Sequence, residues 1–92
     1  MKVQLNYRGQ LAAASGAASE VVEAAAGDSL LAIVGAAARR IGGEVEAMVF
    51  DPDGEPRRTL LIAVDGEQMV DLSAQIGDGV REITLMPPIA GG

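Results

Sequence analysis

The sequence closes on Met86-Pro87-Pro88-Ile89-Ala90-Gly91-Gly92, and the group there with chemistry to offer is the α-carboxylate of Gly92. Pro87 and Pro88 have fixed φ and no N–H, so they end strand pairing and send the chain outward in extended form. Gly91 and Gly92 carry no Cβ, so this tip fits a channel too narrow for any other residue. The competing reading is a frayed terminus, where disorder normally collects.

The rest of the chain offers little rival chemistry. Its 92 residues contain no Cys and no His. Disulfides, thiolate nucleophiles, His-ligated metals and Ser-His or Cys-His catalysis are therefore unavailable to it. Asp51, Asp53 and Gly54 hint at a calcium loop, but the third oxygen ligand before the glycine and the later glutamate are missing. Neither G-x-x-x-x-G-K-[ST] nor a G-x-G-x-x-G following a strand is present, so no phosphate loop is expected, and no bound metal or cofactor. Thirteen acidic against seven basic residues give a net charge of -6, with one Phe and one Tyr. A phosphate backbone would be repelled and bases would find little to stack on, so nucleic acid is disfavoured and basic protein partners are favoured. No apolar run approaches the roughly 18 residues of a membrane span. No signal peptide is visible either, since Asn6 and Arg8 interrupt the first apolar residues. A cytoplasmic protein without a membrane partner is the expectation.

A carboxylate on a thin tip needs a rigid base, and the hydrophobic pattern describes one. Residues 1–7 alternate Val3, Leu5 and Tyr7 with Lys2, Gln4 and Asn6, the period of a strand with one buried face. Residues 11–18, rich in Ala, Ser and Gly, read as a short helical turn or, better, a solvated connection. Residues 19–25, with Val21 and Val22 between Glu20 and Glu23, read as a second strand antiparallel to the first. The helix signal runs over 29–41. Asp28 and Ser29 are capping residues, and Leu30, Val34, Ala37, Ala38 and Ile41 recur on one stripe. Arg39 and Arg40 suit the negative end of the dipole, and Gly42-Gly43 supplies the stop. Gly35 inside this helix predicts a close approach to the sheet.

Beyond the helix, residues 45–50 and 59–64 read as two strands joined by a polar turn over 51–58. Asp65-Gly66 and Gly77-Asp78-Gly79 are turn signals. Val70 and Leu72 form a short apolar step between them. Residues 81–86 alternate Ile83 and Leu85 with Glu82 and Thr84, a last strand that delivers the tail. This order predicts an α+β domain over 1–86, a mixed sheet crossed by one main helix, followed by a tail over 87–92. First and last strands pairing in parallel at the sheet centre would give the tail a firm platform.

With these elements in this order, the chain resembles the ubiquitin-like β-grasp sulfur carriers of the MoaD/ThiS family. The residues that carry the resemblance are Asp78-Gly79, the strand from Ile83 to Met86, Pro87-Pro88 and Gly91-Gly92, together with the Val21-Val22 and Asp28 to Val34 stretches. The chain differs from molybdopterin carriers in having Leu85 and Met86 where aromatic residues often precede the prolines. Its polar segment over Asp51 to Arg58 looks more like the cysteine-biosynthesis carriers.

The resemblance implies a carrier rather than an enzyme. A ubiquitin-activating-type enzyme would use ATP and magnesium to adenylate Gly92, with Gly91 beside it. A sulfur donor would then displace AMP to leave a thiocarboxylate. A downstream sulfur-using enzyme would spend that sulfur in molybdopterin, cysteine or another small-molecule synthesis. Leu85, Met86, Pro87, Pro88, Ile89 and Ala90 would contact these partners. Two alternatives use the same tail. One is a ubiquitin-like modifier joined through Gly92 to target lysines, and the other is an interaction module whose tail docks as an extended peptide.

Overall fold

A computed structural model describes residues 1–87 of the chain. The elements run β1 (Lys2–Tyr7), α1 (Gln10–Ser15), β2 (Ser19–Glu23), α2 (Leu30–Ile41), α3 (Gly43–Val49), β3 (Leu61–Val64), β4 (Glu67–Met69) and β5 (Glu82–Met86). The strands form one mixed sheet in the order β2-β1-β5-β3-β4. β1 and β5 are parallel and central, and every other pairing is antiparallel. The α+β β-grasp expectation therefore holds, including the parallel pairing of first and last strands.

Alternation along the central strands sets which face the core occupies. Val3, Leu5 and Tyr7 of β1 and Ile83 and Leu85 of β5 are all at most 2% exposed, as a period of two requires when one face is covered. The cover is α2. Its Leu30, Val34, Ala37 and Ala38 are buried as the stripe predicted, joined by Ile33 and Gly35, whereas Ile41 is half-buried. Ser29 caps this helix through its side chain, which accepts from Ala32 N–H. The next donors are met from outside the helix, since Leu30 N–H reaches Ala74 O and Leu31 N–H reaches Leu72 O. The long loop before β5 thus satisfies helix-end donors that would otherwise lack partners.

Three local expectations are corrected. Residues 10–15 form a helix, not a solvated connection, because Leu11 is fully buried and anchors it. Residues 43–49 form a helix where a strand was expected. Val45 and Val49 are both 1% exposed and lie four residues apart, one helical face, while Glu44 and Glu46 favour the positive end of the helix dipole. Apolar density had masked that spacing. In place of a hairpin, Phe50 makes an isolated bridge to Pro56, and the Asp51 carboxylate accepts from the N–H groups of Asp53 and Glu55. Third, the short step at Val70 and Leu72 follows a strand, β4, and Val70 is 89% exposed.

Gly35 does mark a close approach, but to Phe50 and not to the sheet. A Cβ there would lie 3.0 Å from Phe50 Cζ and 3.7 Å from an Arg39 guanidinium nitrogen, and that guanidinium lies over the Phe50 ring 4.5 Å from its centroid. Gly35→Val is accordingly expected to lower stability by about 1–3 kcal/mol through overpacking, despite removing a helix-interior glycine. A thermal melt of the variant at or above wild type would refute the contact.

Candidate functional site

The tail-bearing end of the sheet is built from β5, its two neighbours and the turn that follows β1. β5 is held at its start by Asp65. This residue occupies the tight β3–β4 turn with φ 49°, its N–H donates to Glu82 O at 3.0 Å, and its carboxylate accepts from Arg81 N–H at 3.1 Å and Glu82 N–H at 2.9 Å. The Asp-Gly turn signal was legible, but its second task of clasping a strand seventeen residues away was not. At the other end, Arg8 N–H donates to Leu85 O at 3.1 Å. The chain then turns sharply at Gly9, whose φ of 55° and ψ of -128° suit glycine. A Cβ on Gly9 would meet Pro87 Cγ at 3.6 Å, so Pro87 rests against this turn as the strand ends.

The predicted site residues separate across this frame. Leu85 is 1% exposed and sits in the core opposite Tyr7, so it cannot touch a partner in the folded protein and instead anchors β5 from beneath. Met86 points the other way. It is half-buried on the open face of the sheet, directly across from Leu61, which is 41% exposed. Pro87 is half-buried. Pro88, Ile89, Ala90, Gly91 and Gly92 lie outside the described residues.

The open face also carries a polar ladder that sequence reading missed. Asn6, 5% exposed, donates through Nδ2 to Thr84 Oγ1 at 3.1 Å and to Glu82 Oε2 at 3.2 Å, and accepts from Gln4 Nε2 at 2.7 Å. It ties β1 to β5 across the parallel pair. Each hydrogen bond of this kind contributes about 1 kcal/mol net, and their geometry fixes register. Beside it, Met86, Leu61 and Ala63 form an apolar strip next to the point where β5 ends. No sequence signal marks Asn6 as buried, because Glu82 and Thr84, the acceptors for its Nδ2, lie 76 and 78 residues along the chain.

A second missed cluster locks the helix layer to the sheet where β1 ends. Tyr7, 2% exposed, donates its hydroxyl to Glu20 Oε2 at 2.5 Å, and the other oxygen of Glu20 accepts from Arg40 at the end of α2. Burial, then the hydrogen bond to Glu20 and its charge, push the Tyr7 hydroxyl well above its ordinary range, with Arg40 opposing. A folded-state pKa above the unfolded value of about 10 means this contribution is complete below pH 10 and is lost as pH rises past it. Stability should therefore fall above pH 10. Tyr7→Phe should cost about 1–2 kcal/mol at neutral pH and flatten that alkaline slope. Tyr7 is the only tyrosine, so phenolate absorbance reports it alone; ionisation near pH 10 in the folded protein would contradict the lock.

Among the described residues, no group of three or more Asp and Glu side chains is placed to hold a metal ion, and no helix is long and apolar enough to cross a membrane. What the arrangement offers is a rigid central strand, clasped at both ends, that carries the chain as far as Pro87 beside an apolar strip.

No family model and no curated protein matches the chain. Solved structures do. SAMP1 from Haloferax volcanii superposes with a TM-score of 0.85 at 23% identity over 100% of both chains. A candidate molybdopterin converting factor, subunit 1, from Pyrococcus furiosus gives 0.72 at 22% identity, covering 97% of this chain and 99% of its own. A chain of the Amycolatopsis orientalis BexX/CysO complex gives 0.66 at 26% identity, covering 98% of this chain and 99% of its own. The ubiquitin-like β-grasp architecture is thus shared end to end with proteins of the MoaD/ThiS type.

Proposed function

We propose that the protein is a sulfur carrier whose working group is the Gly92 carboxylate. The observation that carries this reading is the junction at Met86-Pro87: the central strand of a β-grasp sheet runs directly into Pro-Pro-Ile-Ala-Gly-Gly. A ubiquitin-activating-type enzyme adenylates Gly92 with ATP and magnesium. Sulfide from a sulfur donor then attacks the acyl-adenylate carbon, the bond to AMP breaks, AMP leaves, and a thiocarboxylate remains for a downstream enzyme. The chain itself acts as substrate and carrier, not as catalyst, consistent with a sequence lacking Cys and His. Solved neighbours that include a molybdopterin converting factor subunit and a CysO complex support partners of both kinds.

A second reading has its own support. Small archaeal modifier proteins from two organisms, Haloferax volcanii and Methanosarcina acetivorans, share the fold. In that reading the same adenylate is attacked by a lysine amine of a target protein, giving an isopeptide bond through Gly92. Lys2 is the only lysine of this chain, so conjugates would be single copies or chains built through one position.

Intact mass of the protein purified from its own host separates the two. One sulfur in place of one oxygen at Gly92 supports the carrier. Remnants of this tail on target lysines, with an ordinary carboxylate on the free protein, overturn it in favour of the modifier.

A further inference from the structure

The pairing of β3 with β4 stops at Ile62 and Met69, and beyond it the two segments are held to different helices. The one before β3 is tied to α3, because Arg57 N–H donates to Val49 O at 2.8 Å and Arg57 Nε to Ala47 O at 2.6 Å. The one after β4 is tied to α2, where Leu72 O accepts from Leu31 N–H at 2.8 Å. Between these anchorages lies an open pocket of about 330 Å³, lined by Leu60, Leu61, Met69, Val70 and Leu72. Large hydrophobic side chains are exposed at Val21, Leu61 and Val70 among the described residues, and two of these three line this one pocket. Exposed apolar groups gathered at one place mark a contact surface.

Charge here runs against the rest of the molecule. The chain carries a net charge of -6, yet the ionised side chains lining the pocket are Arg57 and Arg58, with no Asp or Glu among the described residues that line it. Arg58 is exposed in the turn that Leu60 N–H closes on Arg57 O. The bond to Ala47 O holds the Arg57 guanidinium in place, and neither arginine makes an ion pair among the described residues. Asp71, next to Val70, turns its carboxylate to Ser73, whose N–H and hydroxyl both donate to it. Asp51 and Glu55 line a separate hollow on the other side of the 56–58 segment.

We propose that this pocket seats an acidic segment of a partner protein: one large apolar side chain enters between Leu61 and Val70, and carboxylates flanking it pair with Arg57 and Arg58. A planar guanidinium suits that task, since it can grip a carboxylate through two parallel hydrogen bonds. A second copy of the chain is a poorer occupant. Its other exposed large hydrophobic residue, Val21, stands opposite Gln4 and next to Lys2 on the sheet, and the carboxylate of Glu23 there is already paired with the amino terminus. That docking would bring a lysine up to the two arginines, and like charges oppose it. Leu61 is also the cross-strand partner of Met86, so a partner seated here stands beside the strand that runs toward the tail. The pocket needs only the folded domain, and its test uses neither ATP nor Gly92, so its failure would leave the carrier reading standing.

The test titrates the whole isotope-labelled protein with acetyl-Asp-Asp-Phe-Asp-Asp-amide. Amide shifts are expected at residues 57–61 and 68–72, and not on β1 or β2. Replacing the peptide's Phe by Ala, or its four Asp by Lys, should weaken binding at least about tenfold. Arg58→Glu and Val70→Asp, both at exposed positions, should each weaken binding of the Phe peptide by a similar factor while melting within about 2 °C of wild type. Equal binding by the Ala or Lys peptide would overturn the proposal, as would undiminished binding by either variant. Shifts centred on β2, or no binding of the Phe peptide at millimolar concentration, would do the same. So would the same shifts produced by concentrating the protein alone, which would give the pocket to a second copy.

Discussion

A variant lacking Gly92 is expected to fold and melt as the full chain does, yet to lose ATP-dependent activation altogether. Stability resides in the core of residues 3–85, whose largest fully buried side chains come from β1, α1, α2, α3, β3 and β5. Among the described residues, none of them lies beyond Leu85. Activation, by contrast, needs an unhindered terminal carbonyl, and ending the chain on Gly91 shortens its reach by about 3.5 Å. A misplacement of even 1 Å can cost about a hundredfold in rate, so loss of one residue should reduce adenylation below detection. Pyrophosphate exchange with the activating enzyme measures this, alongside a thermal melt. Retained exchange would dispose of the carboxylate as the working group. A collapsed melt would show that the terminus contributes to the fold after all.

The second large effect separates two adjacent residues. Leu85→Ala should destabilise the domain by about 2–5 kcal/mol, because the methyl groups it removes are packed beneath β5 in a core with no room to collapse. Each kcal/mol lowers Tm by roughly 4–8 °C in a domain of this size, so the variant approaches the limit of a fold with little stability to spare. Met86→Ala should cost about 1 kcal/mol or less, since that side chain is only half-buried. It should instead weaken binding to the activating enzyme, as loss of an apolar contact near the centre of an interface does. Titration of the enzyme with each variant, beside denaturant unfolding, reads the two effects apart. If Met86→Ala changes neither stability nor binding, the apolar strip of Met86, Leu61 and Ala63 is not where a partner sits.

Much of the frame was legible because its signals are periodic and local. The alternation in β1 and β5, the α2 stripe with Ser29 as cap, and the Asp65-Gly66 turn each depend on residues within a few positions of one another. The failures share a cause. Residues 45–50, with Val45, Met48, Val49 and Phe50, read as an apolar run with β-branched members, a strand. The four-residue spacing of Val45 and Val49 becomes decisive only when α1 and α2 offer the surface they bury against. Leu11 was passed over for the same reason, one buried side chain in an otherwise polar and small-residue stretch. Leu85 shows the limit for the site. Alternation assigned it to the buried face, yet its place beside Met86 and the prolines grouped it with the residues a partner would touch.

What the sequence determined by itself was therefore the residue types available for chemistry and the order of β1, β2, α2 and β5. Composition removed Cys and His, charge disfavoured nucleic acid, and Pro-Pro with Gly-Gly marked the tail, because these depend on residue type and adjacency alone. Tertiary structure decided which residues can act from that order: Leu85 inward and Met86 outward, Asn6 buried against Thr84 and Glu82, and Asp65 clasping the start of β5. Each of these rests on partners far apart in the chain, and only the closed sheet brings them within hydrogen-bonding or packing distance.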